Sequence, residues 1–265
     1  MRPVLTALQQ RLITLLDTST LDLFIVAGQS NATGQGVTLA GPTPTAGTVF
    51  DVQQMMFRQL ADPVGSANIG SAWPSFSTDY YTGRSRKTAI LDVSYPGSAQ
   101  CAAASDDNWD TTGTRYGDMV RITRAKIETL LNLGITVTLR GILWCQGERD
   151  ADQIDDAVIV KAQYKSALEA MIGRIQTDFP TLKLFISRTG TKMSGDTAGF
   201  ADVRAAQDEV IAASAFADAA FLDAVDFASE GKMQDTFHYT TAGYEEMGSG
   251  MAAYVVSDNP AGIVY

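Results

Sequence analysis

Short apolar runs that alternate with stretches of helical periodicity constrain the fold of this chain most strongly. Five runs are each long enough for one strand, and they lie at residues 21–27, 88–94, 136–144, 182–187 and 220–225. Strands that are apolar along their whole length are typical of parallel sheets with both faces covered. Apolar residues at three- and four-residue spacing predict helices, which lie at residues 116–133, 157–179, 203–216 and 240–255.

This alternation predicts an α/β fold: a three-layer α/β/α sandwich with a central parallel sheet of about five strands. We expect a single domain over residues 1–265, because no linker or internal repeat divides the chain. A stripe of leucines predicts an N-terminal helix within residues 1–20. The core is expected over residues 21–252, with a C-terminal tail at 253–265, and residues 32–71 are predicted to form a long connection within that core.

The charge of the chain excludes two classes of partner. A formal net charge of -10 repels phosphate backbones and anionic lipid surfaces, so neither nucleic acid nor a membrane is expected to bind. A neutral or weakly charged substrate fits this charge better. No signal peptide is visible at the start of the sequence, although action on a glycan outside the cell or on a virion stays open.

The two cysteines, Cys101 and Cys145, are too few for a disulfide framework and lack the paired spacing of a zinc site. We interpret them as reduced and mostly buried thiols. A single disulfide between them stays open, since sequence does not give their distance.

The sequence contains a single histidine, His238, so any chemistry that needs an imidazole near neutral pH must use it. Asp235 lies three residues ahead of it. A carboxylate in that place can hydrogen-bond one ring nitrogen and leave the other facing a nucleophile. The pattern is short, and a purely structural histidine is the alternative.

A serine follows the first apolar run almost directly, in the segment Gly28-Gln-Ser30-Asn. We expect Ser30 to lie just past the carboxyl end of a strand and to face the crevice there. Capping of the next helix is the alternative use of such a serine. The Gly-x-Ser-x-Gly elbow of α/β-hydrolases is not met, because Ala32 occupies the last glycine position.

Two further turns follow apolar runs. One contains Gln146, whose amide can donate hydrogen bonds to developing negative charge. The other contains Gly97, whose backbone N–H can approach an oxyanion.

Together these segments resemble the SGNH hydrolases, and within them the sialate O-acetylesterase and carbohydrate acetylesterase group. The pattern of that group appears here, in the same order, as GQSN at 28–31, a glycine turn, WCQGE at 144–148 and DTFH at 235–238. The resemblance extends from about residue 21 to about residue 252 and implies the flavodoxin-like SGNH fold. One departure is the glycine turn, which reads Pro-Gly-Ser-Ala where a double glycine is expected.

The resemblance implies a role for each matching position. Ser30 corresponds to the nucleophile, His238 to the general base and Asp235 to the residue that orients the imidazole. The oxyanion hole would be formed by the backbone N–H groups of Ser30 and Gly97 and by the Gln146 side chain. The implied reaction removes O-acetyl groups from sialic acid or another acetylated glycan, and no metal or organic cofactor is needed. The motif residues Glu148 and Arg204 are interpreted as scaffold.

Two alternatives stay open at this point. A non-catalytic carbohydrate-binding or structural module can share the fold. An SGNH lipase or thioesterase can share the triad. Four aromatic residues are candidates either for stacking on sugar rings or for the core; they are Trp73, Tyr80, Tyr81 and Trp109. The acidic stretch at 148–156 is interpreted as a solvated helix start.

Overall fold

The computed structural model describes residues 20–38, 49–51, 58–67 and 69–265. The helix expected within residues 1–20 and part of the expected connection at 32–71 lie outside the described residues. The strands are β1 (Thr20–Gly28), β2 (Val49–Asp51), β3 (Arg58–Gln59), β4 (Thr88–Asp92), β5 (Thr136–Cys145), β6 (Leu184–Ser187), β7 (Ala217–Phe221) and β8 (Ile263–Val264). The α-helices are α1 (Ser30–Thr33), α2 (Trp73–Arg84), α3 (Arg115–Asn132), α4 (Glu148–Asp155), α5 (Lys161–Asp178), α6 (Ala198–Ala213) and α7 (Thr241–Asp258).

These strands form one sheet in the order β3-β2-β4-β1-β5-β6-β7. The pairs from β2 to β7 are all parallel, while β3 and β8 pair antiparallel with β2 and β5. Successive side chains of β1 enter two separate apolar clusters, one on each face of the sheet. Helices α3, α5 and α6 cover the first face, and α2 and α7 cover the second. The predicted α/β fold is confirmed.

Several predicted boundaries were wrong. The last parallel strand spans Ala217–Phe221 rather than 220–225, and a 3₁₀ helix at Asp223–Asp226 follows it. The strand is rich in small and polar residues, so its apolar signal is weak. The expected tail at 253–265 contains the end of α7 and the strand β8, which pairs with Thr138 and Leu139 of β5.

Helix α2 was not predicted, although its Trp73, Phe76 and Tyr80 have the i, i+3 and i+7 spacing of one helical face. The Trp73 and Tyr80 side chains are fully buried, and so is Trp109 in the loop before α3. These aromatic residues belong to the core rather than to a sugar-stacking surface. None of the described helices is long and apolar enough to cross a membrane.

Candidate active site

The carboxyl ends of β1 and β5 approach each other so closely that only glycine fits at the end of β1. Gly28 has φ +127°, and a Cβ there would lie 2.1 Å from the carbonyl oxygen of Cys145. The backbone N–H of Gln29 donates to the same oxygen at 3.0 Å. The chain then turns abruptly into α1, which places Ser30 just past the carboxyl end of β1, as predicted.

The side chains of Ser30, His238 and Asp235 form one hydrogen-bonded chain. His238 Nε2 lies 2.9 Å from Ser30 Oγ, and His238 Nδ1 lies 2.8 Å from Asp235 Oδ2. With the ring proton on Nδ1 donated to the carboxylate, Nε2 is left to accept the serine hydroxyl proton. The structure therefore brings these three predicted residues together in the order that the sequence pattern indicated.

Asp235 is held in place by its own loop. Its Oδ1 accepts the backbone N–H groups of Phe237 and His238, each at 2.9 Å. Partial burial alone would raise the pKa of the Asp235 carboxyl, but these hydrogen bonds and the bond from the His238 ring outweigh it and lower the pKa below its ordinary value. The carboxylate is thus ionised where it meets the imidazole.

Asn31 connects the serine turn to the histidine loop. Its Nδ2 donates to Glu148 Oε1 at 2.6 Å and to the carbonyl oxygen of Phe237 at 3.0 Å. Its Oδ1 accepts the Tyr244 hydroxyl at 2.7 Å. One buried amide therefore joins α1, α4, α7 and the loop that carries His238. This role was not predicted from the sequence, although Asn31 belongs to the GQSN motif.

Gln146 is 1% exposed and sits at the end of β5. Its Nε2 donates to Asp150 Oδ2 at 2.5 Å and has longer contacts with Gln29 Oε1 at 3.3 Å and the Ser98 carbonyl at 3.4 Å. The amide is thus engaged with Asp150 first. It is not among the residues that line the cavity described below.

Asp150 is fully buried beneath this amide, contrary to the interpretation of the acidic stretch as solvated. It also accepts the backbone N–H groups of Gln100 and Cys101, at 2.8 and 2.9 Å. Burial raises the pKa of the Asp150 carboxyl to about 6. Through these hydrogen bonds, the Asp150 side chain connects the loop that follows Gly97 to the turn that carries Gln146.

A cavity of about 510 Å³ opens over Ser30 and His238. The residues that line it are Gln29, Ser30, Gln35, Pro96, Gly97, Glu148, Arg149, Asp152, Phe237 and His238. Gly97 has φ +77°, and its backbone N–H has no acceptor among the described residues. The N–H of Ser30, the first residue of α1, has no intrahelical acceptor. Two backbone donors are therefore free at the cavity.

Glu148 and Arg204 were both expected to be scaffold, but only Glu148 lies at the cavity. Glu148 lines the cavity and is 5% exposed; its Oε2 has no hydrogen-bond partner among the described residues. Burial raises the pKa of its carboxyl. Arg204 does not line the cavity; it donates to the Gly190 carbonyl at 2.6 Å and pairs with Asp196. Only Arg204 thus has the contacts expected of a purely structural residue.

The other candidate groups do not enter the site. Cys101 and Cys145 are both free and buried, so the predicted thiols are confirmed and the disulfide is absent. In the part of the chain that the structure describes, no cluster of three or more histidine, cysteine or acidic side chains could hold a metal ion.

Two charged cavity residues, Arg149 and Asp152, were not predicted to lie at the site. Both lie in α4, directly after the WCQGE motif. Their position after a strand-end motif was the available signal, but the run of acidic residues around them suggested an ordinary solvated helix.

Residues 20–257 match the family described as carbohydrate esterase, sialic acid-specific acetylesterase. This match covers most of the chain and confirms the resemblance drawn from the sequence motifs. No curated protein sequence is significantly similar to this chain.

Solved structures share the fold at low sequence identity. A protein from Arabidopsis thaliana has a TM-score of 0.66 at 18% identity, over 88% of this chain and 97% of that one. NanS has a TM-score of 0.62 at 15% identity, over 91% of this chain and 96% of that one. A carbohydrate acetylesterase from Xanthomonas citri has a TM-score of 0.58 at 19% identity, over 90% of this chain and 56% of that one. The chain belongs to the carbohydrate esterase family described as sialic acid-specific acetylesterase, which is a family of carboxylic ester hydrolases.

Proposed function

We propose that this protein removes O-acetyl groups from an acetylated sugar, with Ser30 as nucleophile, His238 as general base and Asp235 as the residue that orients the imidazole. The observation that carries the proposal is the 2.9 Å contact between Ser30 Oγ and the only imidazole in the chain. Nucleophile and base within hydrogen-bond reach, with a third group orienting the base, is the arrangement that activates a serine.

The reaction proceeds in two steps. Ser30 Oγ attacks the ester carbonyl while His238 Nε2 takes the hydroxyl proton, and the sugar hydroxyl leaves with that proton. Water then attacks the acetyl-serine with the same imidazole as base, which releases acetate and restores the hydroxyl. Proton transfer of this kind contributes about 10²- to 10⁴-fold to the rate.

The negative charge that develops on the carbonyl oxygen is met by the free backbone N–H groups of Ser30 and Gly97. The resemblance also assigns a donor to Gln146, but its Nε2 has acceptors on Asp150, Gln29 and Ser98 and the side chain does not line the cavity, so the proposal rests on the two backbone donors. Each well-placed donor contributes about 10²- to 10³-fold.

The character of the cavity supports a sugar ester over a lipid. Eight of its ten lining residues are polar, charged or glycine, and only Pro96 and Phe237 are apolar. A long acyl chain needs a continuous apolar channel, whereas hydroxyl-rich ligands need hydrogen-bonding walls. The low share of apolar side chains therefore disfavours the lipase and thioesterase alternatives.

Acetate release tests the proposal directly. The wild-type enzyme should release acetate from at least one member of a panel of O-acetylated sialosides, xylo-oligosaccharides and bacterial surface polysaccharides. Ser30→Ala should reduce that rate by at least about 10³-fold. Ser166→Ala, a change of an exposed serine on α5, is the matched control and should leave the rate unchanged.

Two outcomes contradict the proposal. A Ser30→Ala enzyme that retains the wild-type rate would exclude Ser30 as nucleophile. A wild-type protein that binds members of the panel but releases acetate from none of them would favour the non-catalytic module instead.

A further inference from the structure

A second cavity, of about 400 Å³, opens between the loop that follows β4 and helix α3. Among the described residues, its lining shares no member with the cavity over Ser30 and His238. The proposed reaction does not use it. The residues of its wall that carry the argument below are Asp92, Ser94, Tyr95, Arg115, Asp118 and Arg121.

One tight turn separates the two cavities. Tyr95 lines the second cavity, while the next two residues, Pro96 and Gly97, line the first. The Ser98 N–H donates to the Tyr95 carbonyl at 3.1 Å and closes a β-turn, in which Gly97 has the positive φ of a type II turn. The Tyr95 N–H donates to the Gly28 carbonyl at 3.0 Å, which fixes the turn to the end of β1. Because the ends of such a turn lie within about 7 Å of each other, a ligand in the first cavity reaches the second by a short step.

Tyr95 presents an immobilised aromatic ring to the second cavity. The guanidinium carbon of Arg115 lies 3.3 Å from the centroid of this ring, and Arg115 pairs in turn with Asp107 at 2.5 Å. The Tyr95 side chain is nonetheless 40% exposed. A fixed and exposed aromatic ring binds the apolar C–H face of a sugar with little further loss of side-chain entropy.

The formal charges around the second cavity cancel. Three basic side chains of the wall are matched by two acidic ones and by the ion-pair partner of Arg115; these residues are Arg115, Arg121 and Lys126, and Asp92, Asp118 and Asp107. Arg121 and Asp118 form an exposed ion pair at 3.0 Å on α3. Such a pair contributes little to stability, so both groups can turn to the hydroxyls of a ligand. This wall suits a neutral ligand with donors and acceptors better than an anion.

Hydrogen bonds connect the wall of the second cavity to the helix that begins with the nucleophile. Asp92 is 1% exposed, and its Oδ1 accepts the Ser94 N–H at 2.9 Å. Ser94 Oγ lies 2.8 Å from Thr33 Oγ1 in α1, the four-residue helix that starts at Ser30. The position of the second cavity relative to Ser30 is therefore fixed on two sides, by these bonds and by the turn at Gly97.

From this arrangement we infer that the second cavity is a subsite for a neutral sugar unit adjacent to the acetylated one, so that the substrate is an oligosaccharide or a polysaccharide. The inference rests on the proposed acetylesterase function and adds the length of its substrate. The acetylated unit lies over Ser30, and the next unit crosses the turn at Pro96 and Gly97 and covers the ring of Tyr95.

The test compares short and long substrates that carry one acetyl group each. One pair is O-acetylated xylose and xylotetraose acetylated on a terminal unit. The other pair is O-acetylated N-acetylneuraminic acid, as the free sugar and within sialyllactose. The quantity measured is the ratio of kcat/KM for the long substrate over the short one, in which general losses of activity cancel. In the wild-type enzyme this ratio should be at least about tenfold for one pair.

Substitution then assigns the ratio to the second cavity. Ala125→Trp fills this cavity from an exposed position of α3 and should bring the ratio close to one. Tyr95→Ala should lower the ratio by at least about threefold, through loss of the aromatic surface. The matched controls are Glu128→Trp on α3 and Tyr81→Ala on α2. Both positions are exposed and neither is among the described lining residues of the two cavities, so both variants should keep the wild-type ratio.

Calorimetric binding of the same sugars without their acetyl groups separates this inference from the proposed activity. Tighter binding of xylotetraose or sialyllactose than of the matching monosaccharide, lost in Ala125→Trp, supports the subsite even if no acetate is released. Equal binding of short and long sugars by the wild-type protein overturns the inference. A preference for the long sugars that survives in Ala125→Trp also overturns it.

Discussion

Replacing Asn31 with alanine should damage both the fold and the reaction. Asn31 is 1% exposed and makes three hydrogen bonds, to Glu148, Phe237 and Tyr244. A hydrogen bond to a carboxylate is worth about 1.5–3 kcal/mol and a neutral hydrogen bond about 0.5–1.5 kcal/mol. In the variant, the three buried partner groups would also each lose the hydrogen bond that Asn31 provides. The free energy of unfolding should therefore fall by about 3–5 kcal/mol.

The catalytic effect follows from the bond between Asn31 and the carbonyl oxygen of Phe237, which adjoins His238. Without it, the histidine loop is no longer fixed to the serine turn. A misplacement of reacting groups by about 1 Å can cost about 10²-fold in rate, and we expect a loss in kcat/KM of that order. Tyr244→Phe removes only one of the three bonds and should give a smaller loss of stability.

Urea unfolding and acetate release, measured on the same preparations, provide the assay. Met171→Ala is the control for lost stability alone, because Met171 is a buried residue of α5 that packs into the core and a cavity there costs about 2–5 kcal/mol. It should keep the wild-type kcat/KM well below its unfolding temperature. An Asn31→Ala protein whose stability lies within 1 kcal/mol of the wild type, with full activity, would refute the reasoning.

Three further predictions concern single carboxyl and glycine positions. Asp235→Asn should lower kcat by about 10³- to 10⁴-fold, because the ring of His238 would be held in the wrong tautomer; steady-state kinetics showing a wild-type kcat would exclude this role. Gly97→Ala should lower kcat by about tenfold or more with little change in KM, since alanine strains the backbone at φ +77° although its methyl group meets no atom within 4 Å; an unchanged kcat would show that the Gly97 N–H does not contact the oxyanion. The Asp150 carboxyl has a pKa of about 6 in the folded protein, against an ordinary value of 3.8. Between these two pH values unfolding releases a proton, so the free energy of unfolding of the wild type falls as the pH rises from the lower to the higher value. The free energy of unfolding of Asp150→Asn relative to wild type should accordingly increase by about 1.4 kcal/mol per pH unit in that window, and a pH-independent difference in urea unfolding would contradict the assignment.

Part of the candidate site could be located from the sequence because Ser30 and Gln146 follow strands whose apolar signal is strong. β1 and β5 are buried on both faces and read as continuous apolar runs, so their carboxyl ends, with Ser30 and Gln146, could be located from the sequence. The single histidine left no other imidazole to consider. These features are local, and local pattern is what a single sequence records.

The missed features depend on contacts between distant segments. Asp150 looks like any acid in a charged helix, and its burial follows only from the loop at Gln100 that folds over it. The strand β8 is two residues long, and it forms because β5 extends beyond the start of β6 and leaves an edge to pair. Neither the burial nor the pairing has a counterpart in the spacing of residues.

The position of the one histidine between Ser30 and Asp235 makes it a natural spectroscopic probe of the reaction. Every imidazole signal in a magnetic resonance spectrum of this protein arises from the site itself, with no assignment or labelling scheme needed to isolate it. Acylation of the serine, occupation of the cavity by an inhibitor, and loss of the carboxylate would each shift that resonance. Each of these events can thus be followed on the resonances of one imidazole ring.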